Sequence, residues 1–172
     1  MHYLAVGKTS TGKSTLLRRI CRAYRAKGRG SLLLEQRTDT DWIREVKPQF
    51  RTTEPNKFLE VAKKNYRKCL VVEDAFAQLG QHPGPLAWLG TDARHNGHVS
   101  MFGVQKYTGF STILRENVRY IYAFRAGPKS AQALAEDYCR PEFLELPTLP
   151  YGVALYYDDK ADTMKKLRIW TP

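Results

Sequence analysis

An eight-residue segment near the start of the chain constrains its fold more than any other feature. It reads G-K-T-S-T-G-K-S over residues 7–14, a complete G-x-x-x-x-G-K-[ST] phosphate-binding loop. A short, mostly apolar run precedes it at residues 2–6, and apolar residues with helical spacing follow it over residues 14–27. A loop of this type between a strand and a helix predicts a P-loop α/β domain.

The loop predicts a site for a nucleoside triphosphate with Mg²⁺. Its glycines let successive backbone N–H groups point at phosphate oxygens, and the following helix adds the partial positive charge of its N-terminus. Lys13 is expected to reach the β and γ phosphates, and the Ser14 hydroxyl to bind the metal ion. The predicted nucleotide-binding residues are Gly7, Lys8, Thr9, Ser10, Thr11, Gly12, Lys13, Ser14 and Thr15.

Strand-like and helix-like segments alternate along the rest of the chain. Strands are predicted at residues 31–35, 69–74, 98–104 and 118–124, and helices at residues 41–46, 55–67, 85–94, 111–116 and 129–139. Such alternation predicts a mainly parallel sheet flanked by helices. Residues 151–157 and 164–170 predict a β-hairpin added to that sheet. We therefore predict one domain over residues 1–172, with a core at 1–127 and a C-terminal helix and hairpin at 128–172.

Two adjacent carboxylates follow the apolar run at residues 69–72. If that run is a central strand, Glu73 and Asp74 lie at its carboxyl end, the edge where the nucleotide binds. By position Glu73 is expected to bind the metal and Asp74 to orient and deprotonate the attacking water. The order Glu-Asp is the reverse of the usual Walker B order, and the shorter Asp side chain leaves an exchange of these roles open.

Several other polar residues are candidates for catalysis. Gln105 ends the strand after the next crossover, where its side chain could contact both the water and the γ-phosphate. Arg94, Arg115 and Arg119 are candidates for an arginine finger that reaches the site of a neighbouring copy of the chain.

The charge of the chain implies a polyanionic partner. Its 28 Lys and Arg against 17 Asp and Glu give a net charge of +11. Part of this excess falls in two clusters, Arg18, Arg22, Arg25 and Arg29 on the first helix and Lys63, Lys64, Arg67 and Lys68 before the 69–74 strand. The helix leaves the nucleotide edge and the second cluster begins at the opposite edge, so we expect them in different places. Together they favour nucleic acid over a merely solvated surface.

The sequence contains no apolar run of the roughly 20 residues that a membrane-spanning helix needs. The first predicted strand begins almost at once, which leaves no room for a signal peptide. We therefore expect the protein in the cytoplasm.

The motifs together resemble the FtsK/HerA superfamily of DNA-translocating ATPases, in particular the genome-packaging ATPases of double-stranded DNA viruses. The resemblance rests on residues 7–14, 70–74, 93–96, 104–105, 114–117 and 124–125, and it spans residues 1–127. It implies a RecA-like or FtsK-like P-loop fold and hydrolysis of ATP with Mg²⁺. It also implies a homo-oligomeric ring that threads double-stranded DNA, working in the host cytoplasm at a viral capsid or portal vertex.

Two other functions remain open from the residues alone. A small-molecule kinase can carry the same phosphate loop, but it needs an acceptor pocket and usually an arginine-rich lid, and residues 105–116 contain few basic residues. A non-hydrolysing nucleic-acid-binding module is disfavoured because Lys13, Ser14 and both acids are present.

Overall fold

The computed structural model describes residues 2–36, 39–73 and 82–171. The strands are β1 Tyr3–Val6, β2 Ser31–Leu34, β3 Phe50–Thr52, β4 Cys69–Val72, β5 Val99–Val104, β6 Tyr120–Phe124, β7 Val153–Asp158 and β8 Thr163–Arg168. The α-helices are α1 Lys13–Ala26, α2 Pro55–Lys63, α3 Trp88–Thr91, α4 Thr112–Arg115 and α5 Pro128–Asp137. A π-helical turn spans Trp42–Val46, and 3₁₀ turns span Gly84–Ala87, Ala93–Asn96, Tyr107–Gly109 and Pro141–Thr148.

All eight strands form one sheet in the order β3-β2-β4-β5-β1-β6-β7-β8. The pairs from β3 to β6 are parallel, with Val6 of β1 beside Val104 of β5 and Ala123 of β6. β5 therefore separates the strand before the phosphate loop from the strand before Glu73. The carboxyl ends of the parallel strands share one edge of the sheet, named here the carboxyl edge, and their other ends form the amino edge. The predicted fold class, a mainly parallel P-loop sheet flanked by helices, is confirmed.

Apolar side chains alternate between the two faces of the sheet because successive residues of a strand point in opposite directions. On one face, Leu33 of β2 and Val71 of β4 belong to the same buried cluster as Leu17 and Cys21 of α1. The other face is buried beneath α2, α3, α4 and α5, in a second cluster that includes Leu70. Strands that are apolar on both sides are typical of a parallel sheet covered by helices.

The hairpin predicted at the C-terminus is confirmed, since β7 pairs antiparallel with both β6 and β8. Several details differ from the sequence-based expectation. The short strand β3 and the 3₁₀ helix Pro141–Thr148 were not predicted, and the helix expected at residues 85–94 is divided into 3₁₀ turns around the four-residue α3. Among the described residues, none of the helices is both long and apolar enough to span a membrane.

The second helix also ends earlier than predicted, at Lys63 rather than near residue 67. The Asn65 side chain donates to the Val61 carbonyl oxygen at 2.8 Å, capping the last turn. Arg67 has a positive φ of 52°, which turns the chain into β4. After this turn the chain enters β4 at the amino edge, and β4 then runs parallel to its neighbours β2 and β5.

Candidate nucleotide-binding site

The phosphate loop is tied at its start to both strands that flank β1. The Gly7 N–H donates to the Val104 carbonyl oxygen at 3.1 Å, and the Lys8 N–H donates to the Arg125 carbonyl oxygen at 2.9 Å. A Cβ atom on Gly7 would lie 2.7 Å from Cβ of Phe124, closer than real Cβ atoms approach. Glycine at this position therefore lets the loop leave β1 against β6.

The end of the loop forms the start of α1. Gly12 has a φ of 115°, in the left-handed region that favours glycine, and α1 begins at the next residue. Lys13 Nζ donates to the Lys8 carbonyl oxygen at 2.9 Å, so its ammonium group curls back over the loop. The Thr11 hydroxyl donates to the same carbonyl at 2.7 Å and braces the loop from within. The loop thus leads directly into the N-terminus of α1, the end of a helix that attracts anions.

A cleft of about 180 Å³, named here the phosphate cleft, opens beside this loop. From the predicted site it contains Thr9, Ser10, Lys13, Ser14, Glu73 and Gln105. Gln105 is exposed at the end of β5, between the strands that carry the loop and Glu73. The structure therefore brings together the residues predicted to contact the β and γ phosphates and the metal.

Glu73 is held by a side chain that the sequence analysis did not identify. The Nε1–H of Trp42, a fully buried residue in the π-helical turn, donates to Glu73 Oε2. The other oxygen, Oε1, is buried and has no hydrogen-bond partner among the described residues. Burial raises the pKa of Glu73, and interactions with the Ser14 and Trp42 side chains oppose the rise.

This arrangement fits a bound magnesium ion. The Ser14 hydroxyl lies close to Glu73, and Oε1 of the carboxylate is a buried oxygen that accepts from no donor in the described part of the chain. A buried acceptor without a donor is costly unless a ligand satisfies it, and Mg²⁺ prefers oxygen ligands. Ser14 and Glu73 are therefore the residues that would hold the ion. Asp74, the predicted base, lies outside the described residues, so its role stays a prediction.

Three further polar residues line the phosphate cleft, Glu35, Gln36 and Asp39. Glu35 follows β2, is almost fully buried, and forms an ion pair with Arg51 of β3. Its Oε2 also accepts the Asp39 N–H at 3.3 Å. The position of Glu35 directly after an apolar strand was a usable signal, since β2 and β4 end at the same edge. Its partner Arg51 was not predictable, because β3 itself was not.

The structure corrects the prediction that Arg18 contacts DNA. Its side chain is only 8% exposed and forms ion pairs with Asp39 at 3.0 Å, Asp41 at 3.4 Å and Glu45 at 3.3 Å. These contacts fasten the segment that carries Trp42 onto α1. Arg18 therefore supports the phosphate cleft from behind and is unavailable to a polyanion in solution.

The candidate fingers differ in how far their own chain already binds them. Arg115 donates to the carbonyl oxygens of Tyr107 at 2.7 Å and Phe110 at 2.8 Å, and it pairs with Asp137 at 3.2 Å. These contacts occupy its guanidinium within the single chain, and the role of Arg115 as a finger stays a prediction.

Arg119 also makes a bidentate ion pair within its own chain, with Asp158 at 2.9 and 3.0 Å, and its role as a finger stays a prediction. Arg94 is exposed in the turn that precedes β5, at the amino edge of its own sheet. It could therefore act only in the site of a neighbouring copy, as predicted, and it stays the favoured candidate.

The two predicted basic clusters, expected in different places, approach each other at the amino edge. α1 runs from the carboxyl edge to the amino edge, and Arg29 beyond its end donates to the Gly97 carbonyl oxygen at 2.9 Å. On the other side, the Arg67 N–H donates to the Asn96 carbonyl oxygen at 2.9 Å. The two predicted clusters thus meet beside residues 96–97. This surface, the basic edge, comprises Arg22, Arg25, Arg29, Lys63, Lys64, Arg67, Lys68 and Arg94.

Some members of the basic edge already have partners. Lys64 pairs with Glu60 at 2.6 Å, and Lys68 Nζ donates to Gln49 Oε1 at 2.7 Å. Arg25 donates to the Val46 carbonyl oxygen at 2.7 Å, and Lys63 lies 5.7 Å from the centre of the Trp88 ring. Apart from Lys68 and Arg29, which are half-buried, the side chains are exposed.

Several solved structures resemble this chain. One is the genome-packaging NTPase B204 from Sulfolobus turreted icosahedral virus 2 in complex with ATP-gammaS, with a TM-score of 0.78 and 16% identity over 98% of this chain and 97% of that chain. The chain has the fold of this packaging NTPase. The sequence itself matches no protein-family model and no curated protein.

Two bacterial proteins are more distant. The cytoplasmic domain of the type VII secretion ATPase EccC from Thermomonospora curvata gives a TM-score of 0.64 and 12% identity, covering 98% of this chain and 25% of that chain. The N-terminal domain of zonular occludens toxin from Neisseria meningitidis gives 0.57 and 13%, covering 99% and 94%. At these identities the neighbours establish a common fold.

Proposed function

We propose that this chain is an ATP-hydrolysing motor domain that translocates double-stranded DNA and packages a viral genome into a capsid. The observation that carries the proposal is the phosphate cleft, which gathers the phosphate loop, Glu73 and Gln105 in the fold of a genome-packaging NTPase. That NTPase has been seen with ATP-gammaS, and a related structure with AMPPCP. These complexes support ATP as the nucleotide here.

Each residue of the phosphate cleft has a defined task in this proposal. Lys13 releases the Lys8 carbonyl and neutralises charge on the β and γ phosphates, while the loop N–H groups fix the phosphate chain. Ser14 and Glu73 would hold Mg²⁺, which would offset the charge that develops on the transferring phosphoryl group. Gln105 senses whether the γ-phosphate is present. Trp42 and the ion pairs of Arg18 keep Glu73 in place.

The base is assigned to Asp74, with Glu73 as the alternative that the sequence left open. We expect Asp74→Asn to bind ATP yet lose turnover by about 10² to 10⁴-fold, the usual loss when a general base is removed. Glu73→Gln should instead reduce the gain in ATP affinity that Mg²⁺ provides. Near-normal turnover in Asp74→Asn, with loss in Glu73→Gln at saturating Mg²⁺, would transfer the base role to Glu73.

DNA, the ring and the capsid partner complete the proposal. The basic edge supplies the positive charge that a duplex backbone requires, and a homo-oligomeric ring would surround the duplex, docked at the capsid or portal vertex in the host cytoplasm. The test is phosphate release from ATP with and without duplex DNA, with Lys13→Ala as the inactive control.

The three functional classes give different results in this assay. A motor shows hydrolysis that rises on adding duplex DNA. A small-molecule kinase shows slow release that DNA does not change, and a binding module releases no phosphate above the Lys13→Ala background. Either of the last two results overturns the proposed function.

A further inference from the structure

A second cleft lies on the other side of the phosphate loop, against the last residues of the described chain. It measures about 130 Å³ and is lined by Ser10, Gly12, Lys13, Ser14, Thr15 and Trp170. We name it the tryptophan cleft. It shares Ser10, Lys13 and Ser14 with the phosphate cleft, so one stretch of loop forms a wall of both.

Trp170 is fixed in this cleft by contacts with the loop and with the hairpin. Its Nε1–H donates to the Thr11 carbonyl oxygen at 3.3 Å, and its backbone N–H donates to the Gly152 carbonyl oxygen at 3.3 Å. A Cβ atom on Gly12 would lie 2.5 Å from Trp170 Nε1 and 2.7 Å from its Cδ1. The second glycine of the phosphate loop is therefore also the residue that lets the indole approach.

A further contact anchors the backbone beside this indole. Arg19, on the second turn of α1, donates to the carbonyl oxygen of Ile169. The Ile169 N–H in turn donates to the Gly152 carbonyl oxygen at 2.7 Å. The segment after β8 is thus fastened to α1 and to the residue before β7. An indole held this way is a preorganised surface, although it is only half-buried.

The direction of a bound nucleotide follows from the chemistry of the two clefts. In a phosphate loop, Lys reaches the β and γ phosphates and the Ser hydroxyl meets the metal, while the loop backbone cradles the α and β phosphates. Glu73 and Gln105 place the γ end in the phosphate cleft. The α-phosphate must then lie towards Thr15, and the sugar and base must continue past it. The tryptophan cleft is at that end of the loop.

We propose that the tryptophan cleft is the nucleobase subsite and that Trp170 is the platform on which the base stacks. The inference rests on the proposed nucleotide binding and adds the group that recognises the base. Among the described residues that line the cleft, none is Asn, Gln, Asp or Glu. Its one basic side chain, Lys13, is directed to the phosphates, and Ser and Thr hydroxyls bond to either kind of base edge. An aromatic platform binds any base through its π-face. The subsite therefore accepts ATP and GTP with little discrimination between them.

The experiment compares nucleotides with a ligand that carries phosphates and no base. Dissociation constants of ATP, GTP and inorganic tripolyphosphate are measured by calorimetry for the wild-type chain, Trp170→Ala and Trp170→Phe. Trp170→Ala should weaken ATP and GTP by similar factors, roughly 5- to 100-fold from the loss of one stacked base, and leave tripolyphosphate within about twofold. Trp170→Phe keeps an aromatic face and should retain most of the affinity for ATP.

Trp88→Phe is the matched control, because Trp88 is another half-buried tryptophan and packs far from the loop against His98. It should leave all three constants unchanged, and thermal unfolding without ligand verifies that each variant is folded. Equal losses for ATP and tripolyphosphate in Trp170→Ala would show that the indole only braces the loop, and unchanged ATP binding would show that the base lies elsewhere. Either result overturns the subsite.

The outcome for the proposed function is separate. A wild-type chain that binds ATP more tightly than tripolyphosphate through Trp170, yet shows no hydrolysis stimulated by DNA, keeps the subsite and loses the motor. A wild-type chain that binds neither ligand overturns both.

Discussion

At the carboxyl ends of β2 and β4, Glu35 and Glu73 are held by hydrogen bonds from within the fold, whereas before β4 and β5, Arg67 and Arg94 are exposed to solvent. Glu35 and Glu73 at the carboxyl edge are thus each fixed by a partner inside the fold. Arg67 and Arg94 at the amino edge present their side chains to solvent. Preorganised groups suit chemistry on one ligand, and mobile surface cations suit contact with a long polyanion.

The difference also determines how the two edges can cooperate. Within one chain they are separated by the length of the strands, so a charge at the amino edge cannot act on a phosphate at the carboxyl edge. In a ring, the amino edge of one copy could face the carboxyl edge of the next. Arg94 is the residue that tests this.

The largest effect is expected from Arg94→Ala. If Arg94 completes the site of a neighbouring copy, its loss should lower ATP turnover by about 10³-fold or more, as arginine fingers do in related phosphoryl transfer. Mixing Arg94→Ala chains with Lys13→Ala chains should restore part of the activity, since some shared sites then have an intact loop and an intact arginine. Steady-state phosphate release over a series of mixing ratios measures this.

His95→Ala, a change of the exposed neighbour of Arg94, is the control and should leave turnover unchanged. Absence of rescue at every ratio, together with a monomer in light scattering with ATP, would mean that the two edges never meet. The carboxyl edge and the amino edge would then be two independent surfaces.

The second prediction tests the fixed character of the carboxyl edge through Trp42→Phe. Phenylalanine fills much of the same buried space but cannot donate to Glu73, so the carboxylate loses its orientation. The Mg²⁺ concentration for half-maximal turnover should rise by about 10- to 100-fold, as when the partner of a metal ligand is removed. Binding of ATP without Mg²⁺ should stay unchanged. Titration of turnover and of fluorescent ATP binding separates the two.

Trp88→Phe is again the matched control, since Trp88 has no contact with Glu73 among its described interactions. A rise in ATP dissociation without metal would show that Trp42 supports the whole cleft and does not specifically position Glu73. The contact between Trp42 and Glu73 at the carboxyl edge would then stabilise the fold in general and would not orient one metal ligand.

Sequence alone identified the parts of the carboxyl edge that are encoded locally. The phosphate loop, the strand before it and the helix after it form one continuous motif, and Glu73 follows its strand directly. Trp42 and Trp170 were missed because they contact the site from 31 and 159 residues away in the chain. No local spacing marks such contacts.

The amino edge shows the opposite limit of sequence reasoning. The sequence shows the cations of this edge directly. It does not distinguish Arg18, which three carboxylates enclose, from Arg22 one turn later, which is exposed. It also could not show that the end of α1 lies beside Arg67. Surface charge becomes a site only through tertiary packing, which a pattern of basic residues does not contain.

The third prediction concerns His2, a buried histidine at the amino edge. Burial lowers the pKa of His2 from 6.5 to about 4, and the Ser100 N–H donates to its Nδ1 at 3.1 Å, which requires that nitrogen to be unprotonated. Between pH 6.5 and about pH 4 the unfolded chain binds more protons than the folded chain does. The free energy of unfolding therefore falls as the pH decreases through this range. From pH 7 to pH 5 the loss should be about 2 kcal/mol.

Urea denaturation at the two pH values measures the loss, and His2→Gln should reduce it. The exposed His95 gives the control, since His95→Gln should leave the pH dependence as it is. An unchanged slope in His2→Gln would assign the effect to His98, whose pKa is also lowered by burial.

The smallest effect for a single residue is expected at the basic edge itself. A motor that moves over every sequence must hold the duplex through its phosphates, so affinity should fall with salt, with a log–log slope of about 0.9 for each phosphate neutralised. Arg67→Gln and Lys63→Gln should each lower that slope by about one, whereas Arg18→Gln, a change of an enclosed cation, should not lower it. Lys165→Gln, at an exposed position on β8 at the far side of the sheet, is the matched control. Fluorescence anisotropy of a labelled duplex over a salt series gives each slope.

If Lys165→Gln lowers the slope as much as Arg67→Gln does, the duplex responds to total charge and the amino edge has no special role. If neither changes it, the basic edge serves another polyanion, and RNA or an acidic capsid protein becomes the partner to test.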